Sequence, residues 1–267
     1  MRSSASGSPT SRRSDRALLT RKVVLLPLLA VQAVRTRRRA LGLAEPAGAR
    51  VGAAGPSDGS DRVVRVLVAG DSSAAGVGVA TQEQAVARHL AAALAEASGR
   101  PVAWTLIARS GLSTRAVHQL LEAERPEAAD VAIVVTGVND VTSLLPPGRA
   151  VAHRAALADW LLAGRLARHV AFAALPPMHR FPLLPEPLRG VLGAEARRHD
   201  AALAAWAATR ADVSHVPIDL DLTPDVMAAD GFHPGEPVYR LCGLALGRHV
   251  ADVLRRTSGD GGATTQA

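Results

Sequence analysis

The sequence VLVAGDSSAAGVG, residues 66–78, changes character at its middle. Its first four residues are apolar, as in a strand that is buried on both faces. Its last five are mostly alanine and glycine, which let the backbone approach other groups closely. An acid and two hydroxyls, Asp71, Ser72 and Ser73, stand at the junction. We therefore predict a buried strand that ends in a polar loop with a chemical role.

The same pattern of a short apolar strand followed by a longer amphipathic helix recurs along the chain. The predicted strands are residues 63–68, 102–107, 131–136, 169–174 and 213–218, and the predicted helices are residues 82–97, 113–124, 150–166, 187–208 and 236–255. Such alternation, with strands that are apolar almost throughout, is typical of a parallel sheet covered by helices on both faces. The fold class is therefore α/β, with a five-stranded parallel sheet.

Polar clusters follow four of the five predicted strands. Asp71-Ser72 comes after the first strand, Ser110-Gly111 after the second and Asn139-Asp140 after the third, while the stretch from Asp230 to His233 lies in the loop after the fifth. In open α/β sheets the ligand crevice lies beyond the carboxyl ends of the strands. We therefore expect the four clusters to meet at one rim of the sheet.

These residue types fit nucleophilic catalysis. A serine hydroxyl needs a base within hydrogen-bond reach and donors for the oxyanion that forms. Ser72 supplies the hydroxyl, His233 is the best base, and Asp230 is spaced to orient its imidazole. The Asn139 amide and the Gly111 backbone N–H are candidate oxyanion donors. Each cluster alone is more typical of a helix cap or a turn than of a catalytic site, so the hypothesis rests on their joint placement.

Four sequence blocks resemble those of the SGNH hydrolases, also called the GDSL family of esterases and lipases. The blocks are GDSSAAGVG, ARSGLST, TGVNDVT and DGFHP, and their order and separations agree with the family over residues 64–250. Ser73 stands where the family name has leucine. The sequence lacks the G-x-S-x-G elbow of the α/β-hydrolases, which argues against that other fold.

The resemblance implies a flavodoxin-like three-layer α/β/α sandwich with strand order 2-1-3-4-5. It implies Ser72 as nucleophile, His233 as general base and Asp230 as the acid that orients it. The implied oxyanion hole consists of the Ser72 and Gly111 backbone N–H groups and the Asn139 side chain. No metal and no organic cofactor is expected. The implied reaction is acyl transfer from an ester to Ser72, followed by hydrolysis.

The strong positive charge of the chain is confined to its first part. The net charge is +7 over 267 residues, yet residues 1–50 carry eleven Arg/Lys against two acids, a balance of +9 that leaves −2 for residues 51–267. Nucleic-acid binding by the domain is therefore not expected. The single cysteine, Cys242, excludes an intrachain disulfide.

The N-terminal segment favours two interpretations. Residues 23–34 are mainly apolar and are flanked by arginines, but a membrane span needs about 20 apolar residues. Residues 21–39 are therefore interpreted either as an interfacial contact with anionic lipid or as a helix packed on the domain. We expect a location in the cytoplasm or at the periphery of the cytoplasmic membrane, with secretion left open. The predicted segments are a disordered basic tail (1–20), the apolar and basic segment (21–44), a linker (45–61), the hydrolase domain (62–256) and a disordered tail (257–267).

The sequence leaves the substrate open. The first hypothesis is a hydrolase of carboxylic esters, including lipid or lysophospholipid esters. The second is an acyltransferase or deacetylase that acts on sugar or cell-envelope acyl groups, and the third is a binding module without turnover. In each case the expected partner is a small acyl ester. The proline-rich segment 176–189 is predicted either to form a wall of the acyl pocket or to be a rigid connection.

Overall fold

The computed structural model describes residues 27–36, 38, 42–56 and 62–259, with the backbone alone for 257–259. Within these residues a six-stranded sheet has the order β1-β3-β2-β4-β5-β6. The strands are β1 (Val51–Ala54), β2 (Val64–Gly70), β3 (Val102–Ala108), β4 (Val131–Val135), β5 (His169–Ala173) and β6 (Val213–Val216). Strands β2 to β6 are parallel, and β2 lies between β3 and β4 at the centre.

The five predicted parallel strands and their order 2-1-3-4-5 are confirmed, but the sheet has six strands rather than five. The sixth strand, β1, pairs antiparallel with β3 at the sheet edge. It lies inside the segment that the sequence predicts to be a linker, residues 45–61. Its sequence, VGAA, is short and has low strand propensity, so it gives no signal of its own. A Cβ at Gly52 would lie 2.8 Å from the Trp104 ring, so contact with β3 rather than local preference determines this strand.

Helices cover both faces of the sheet. They are α1 (residues 27–36), α2 (Ser72–Ala75), α3 (Val86–Ser98), α4 (Thr114–Glu124), α5 (Val138–Thr142), α6 (Pro147–Ala163), α7 (Leu188–Ala207) and α8 (Glu236–Gly259). On one face, Leu90 of α3 and Leu246 of α8 are buried in a single apolar cluster with β2 and β3. On the other, residues of α4, α6 and α7 such as Leu157 form a second cluster. This accounts for the near-continuous apolar character of the strands.

The end of β2 is where the fold brings the candidate site together. A Cβ at Gly70 would lie 2.0 Å from the Val135 carbonyl oxygen, so only glycine allows β2 and β4 to approach this closely. The next residue, Asp71, donates its backbone N–H to the same carbonyl over 3.1 Å. The chain then turns at once into α2, so Ser72 leaves the sheet at its carboxyl edge.

Helix α1 packs on the domain through one side. Leu29 is buried and belongs to the apolar cluster that includes Leu184 and Leu188. The Gln32 amide donates to the Glu186 carbonyl over 2.8 Å and accepts from the Leu188 N–H over 3.2 Å. Among the helices of the described ranges, none has the length and apolar character needed to cross a membrane.

Candidate active site

Ser72 is the first residue of α2 and is almost completely buried. Asp71 caps this helix by accepting the Ser73 N–H over 3.0 Å, and Gly76 ends it in the left-handed conformation, with φ of 86°. The cap is local, because aspartate is among the residues best suited to this position. The result is a tight turn that holds the Ser72 hydroxyl in a fixed place at the rim.

The structure places His233 against Ser72, although 161 residues separate them in the chain. The Ser72 hydroxyl lies 3.2 Å from His233 Nε2. On the other side of the ring, His233 Nδ1 lies 2.7 Å from Asp230 Oδ2. With Nδ1–H donating to the carboxylate, Nε2 is left as the acceptor for the serine proton. Serine, histidine and aspartate therefore form one continuous hydrogen-bonded chain.

Asp230 remains ionised because it accepts several hydrogen bonds. Burial by itself raises the pKa of this carboxyl, but three donors outweigh it and hold the pKa below its usual value. They are the His233 ring and the backbone N–H groups of Phe232 and His233, the last two at 2.9 and 3.0 Å from Oδ1. The turn 230–233 thus fixes the carboxylate and the imidazole relative to each other.

The loop after α2 and the segment after His233 fit together closely. Gly78 has a φ of 111°, and a Cβ there would lie 2.2 Å from the Pro234 carbonyl oxygen. Tyr239 donates its hydroxyl to the Val77 carbonyl over 2.6 Å. These contacts attach the end of the Ser72 loop to the segment that carries His233, and so fix the distance between these two residues.

Asn139, in α5, and Gly111, in the loop after β3, are the other predicted oxyanion donors and lie at the same rim. The Asn139 amide donates to the Leu112 carbonyl over 3.0 Å, which joins α5 to the loop after β3. It also lies 3.5 Å from Asp71 Oδ2, a long contact. Gly111 has a φ of 80°, and no atom lies within 4 Å of where its Cβ would be, so the space beside its Cα is open.

A buried charge network that the sequence analysis missed lies beneath these loops. Asp140 accepts the Thr114 N–H over 3.1 Å and the Thr114 hydroxyl over 2.5 Å. Arg154 of α6 approaches Asp140 Oδ2 to 3.7 Å, and its side chain is 0% exposed. Burial lowers the pKa of this guanidinium, while Asp140, Asp200 and Asp71 oppose that shift. The one available signal was an arginine on the apolar face of a predicted helix, between Ala150 and Leu157.

Asp71 interacts electrostatically both with Asp140 of this network and with His233 of the hydrogen-bonded chain. It is 2% exposed, and burial raises the pKa of its carboxyl to about 7. The Ser73 N–H opposes that shift, and so do the charge of His233 and the Gly137 N–H. Asp71 also caps α2, the helix that begins at Ser72, so its hydrogen bond to the Ser73 N–H helps to position Ser72.

Comparison with known proteins identifies the family of the chain. Residues 68–241 match the GDSL-like Lipase/Acylhydrolase family. The chain belongs to that family. It is 30% identical over 203 residues to the GDSL-like esterase Rv1075c of Mycobacterium tuberculosis, a match that covers 72% of this chain and 63% of the relative. The chain therefore spans less than two thirds of the length of that relative.

Solved structures resemble the GDSL chain in fold. The lipase Lip_vut3 from a goat rumen metagenome has a TM-score of 0.57 at 17% identity, covering 70% of this chain and 97% of its own. A family 3 carbohydrate esterase of Clostridium thermocellum has a TM-score of 0.56 at 16% identity, covering 74% and 100%. At these identities the likeness shows the fold alone. Together with the family match, it shows that the described domain has the GDSL-type fold.

A narrow apolar cavity of about 70 Å³ opens next to Ser72 in this GDSL domain. Apart from Ser72 and Ser73 its lining is mainly apolar, and it includes Val135, Val138, Pro176, Phe181, Ile218 and Phe232. Pro176 and Phe181 come from the proline-rich segment, so this segment does line the cavity. Phe181 packs edge-on against Phe232, with ring centroids 5.2 Å apart, which connects this wall to the His233 turn.

Within the described residues, no three His, Cys, Asp or Glu side chains are grouped so that they could hold a metal ion. Of the remaining sequence predictions, the disordered tails 1–20 and 257–267 fall almost wholly outside the described residues, as does the first part of the apolar and basic segment.

Proposed function

We propose that the protein hydrolyses carboxylic esters with a short acyl group, through an acyl-enzyme formed on Ser72. The observation that carries the proposal is the chain of contacts from Asp230 through His233 to Ser72, at 2.7 and 3.2 Å. Both distances lie within the reach that nucleophile activation by a general base requires. Membership of the GDSL family supports the same chemistry.

In the first half of the reaction, Ser72 Oγ attacks the ester carbonyl carbon while His233 Nε2 accepts the hydroxyl proton. The carbonyl π electrons move to oxygen and give a tetrahedral oxyanion. When this intermediate collapses, the bond to the leaving alcohol breaks and His233 returns the proton to the alcohol oxygen. Asp230 stabilises the imidazolium between these two steps without taking its proton. The product is an ester of Ser72 and the acyl group.

In the second half, water takes the place of the alcohol. His233 accepts a proton from the water as its oxygen attacks the acyl carbon, and a second oxyanion forms. Collapse breaks the bond to Ser72 Oγ, which regains its proton from His233, and the carboxylic acid leaves. No other acid or base is needed, because His233 acts in both directions.

The oxyanion requires donors that are already in place. We assign this role to the backbone N–H groups of Ser72 and Gly111 and to the Asn139 amide. The Asn139 amide carries two hydrogens, of which one is held by the Leu112 carbonyl. The contact of Asn139 with Asp71 Oδ2, at 3.5 Å, is too long to hold the other hydrogen strongly, so that N–H is the one free to turn to the oxyanion.

The cavity supports a short acyl group. A volume of about 70 Å³ corresponds to a few water molecules, which suits a chain of a few carbons rather than a long lipid chain. Its lining combines apolar side chains with Ser72. We therefore expect kcat/KM to be highest for acetyl to butyryl esters and to fall as the chain lengthens.

The experiment uses two neighbouring serines. Hydrolysis of p-nitrophenyl esters of increasing acyl length is measured for the wild type, Ser72→Ala and the matched control Ser73→Ala. We expect Ser72→Ala to lower kcat/KM by about 10³-fold or more, and Ser73→Ala to retain most of the activity. A fluorophosphonate should label Ser72, as located by mass spectrometry. Equal activity in Ser72→Ala and Ser73→Ala, or no hydrolysis of any ester by the wild type, would refute the proposal and favour a binding module.

A further inference from the structure

Helix α1 has one side fixed on the domain. Leu29 and Thr36 are buried, and Gln32 between them holds the peptide groups of Glu186 and Leu188 through both ends of its amide. The spacing of 29, 32 and 36 places these three side chains on one helical stripe. This orientation of α1 determines which residues face away from the domain.

Away from this stripe, α1 and the described residue beyond it, Arg38, expose apolar and basic groups together. Leu28, Val31 and Val34 are 47%, 50% and 52% exposed, and Arg35 and Arg38 are exposed as well. Three of the seven large apolar side chains exposed among the described residues are therefore on this one short helix. Such a concentration on the outer face of a docked helix is not explained by the packing of the domain.

The segment on which α1 packs, residues 176–189, also lines the cavity beside Ser72, through Pro176 and Phe181. Gln32 binds the end of the proline-rich segment 176–189, and an earlier residue of that segment, Leu183, donates its N–H to the Gly231 carbonyl over 2.9 Å. Gly231 belongs to the turn that carries His233. Helix α1 is therefore connected to the rim by a single continuous segment of chain.

We propose that the outer face of α1 binds the surface of an anionic membrane and holds the rim of the domain beside it. The charge of the segment favours an anionic partner, because residues 21–39 contain six Arg/Lys and no Asp/Glu. Apolar side chains that enter the interface and arginines that meet the headgroups are the two components of interfacial binding. A second copy of the chain is a poorer partner, since symmetric pairing would bring Arg35 and Arg38 near their own copies.

The test is sedimentation of the full chain with vesicles of phosphatidylcholine alone or mixed with phosphatidylglycerol. We expect binding to the mixed vesicles, weakened by high salt, and little binding to the neutral ones. Arg35→Gln with Arg38→Gln should lower the affinity roughly 25-fold, at about fivefold for each arginine near an anionic surface. Val31→Asp with Val34→Asp should lower it at least as much.

The control is Leu241→Asp, which places the same carboxylate at a residue of α8 that is 44% exposed. It should bind vesicles like the wild type. All variants should hydrolyse a water-soluble ester at the wild-type rate, which separates this proposal from the catalytic one. Equal loss of binding in Leu241→Asp and in the α1 variants would overturn the proposal. So would undiminished binding to neutral vesicles, or a dimer in solution that Val31→Asp with Val34→Asp dissociates.

Discussion

Replacing Asp71 by asparagine should change how the stability of the protein depends on pH. The carboxyl is buried, and its pKa rises from 3.8 to about 7 on folding. Between these values the folded protein keeps a proton that the unfolded chain has lost. Stability contributed by the neutral carboxyl is therefore present at low pH and is lost as the pH rises from about 4 to 7. Asparagine is neutral throughout and removes this dependence.

The size of the effect follows from the two pKa values. Each pH unit between them costs about 1.4 kcal/mol of unfolding free energy, so the full loss above pH 7 is about 4 kcal/mol. About half of that loss, roughly 2 kcal/mol, falls between pH 5.5 and 8.5. Relative to the wild type, Asp71→Asn should gain this amount of stability over the same interval. Any lost hydrogen bond in the variant adds an offset that is the same at both pH values and cancels in the comparison.

The assay is urea unfolding of the wild type and Asp71→Asn at pH 5.5 and 8.5. Asparagine remains a good cap for α2, so the fold should be kept, and circular dichroism checks this. Asp219→Asn, at an exposed carboxylate, is the matched control and should follow the wild type at both pH values. If the free energies of unfolding of the wild type and Asp71→Asn change by the same amount between pH 5.5 and 8.5, the assignment of a neutral buried carboxyl beside Ser72 is refuted.

Two further predictions concern the other charged residues of the site. Asp230→Asn should lower kcat by about 10²- to 10⁴-fold, because the amide no longer holds the imidazole in the right tautomer. Steady-state kinetics measure this, with Asp225→Asn as the control. Equal activity in the two variants would contradict the role of Asp230. Arg154→Leu should lower the free energy of unfolding by about 3–5 kcal/mol, since it leaves Asp140 buried without a counter-charge. Adding Asp140→Asn should restore part of that loss in urea unfolding, and a double variant less stable than Arg154→Leu would contradict the pairing.

The sequence was sufficient for the elements of the sheet because their signals are local. Apolar runs such as 131–136 and amphipathic stretches such as 113–124 predict strands and helices without reference to the rest of the chain. The parallel arrangement also places every loop that follows a strand at one rim. This rule is why Ser72 and His233 could be expected to meet, and the structure places them 3.2 Å apart. Their catalytic roles stay a prediction until Ser72→Ala is measured.

Tertiary structure decided what depends on distant neighbours. Strand β1 forms because β3 offers it an edge and the Trp104 ring leaves room only for Gly52. Arg154 is buried and lies 3.7 Å from Asp140, and its place on the apolar face of a predicted helix does not identify this partner.

The size of the cavity and the docked side of α1 are likewise set by side chains that meet only in the folded chain. The sequence by itself thus determined the five parallel strands and the residues at their rim, since hydrophobic periodicity and motif spacing are properties of neighbouring residues. Burial, charge pairing and cavity volume depend on contacts between elements far apart in the chain, and only the fold specifies these.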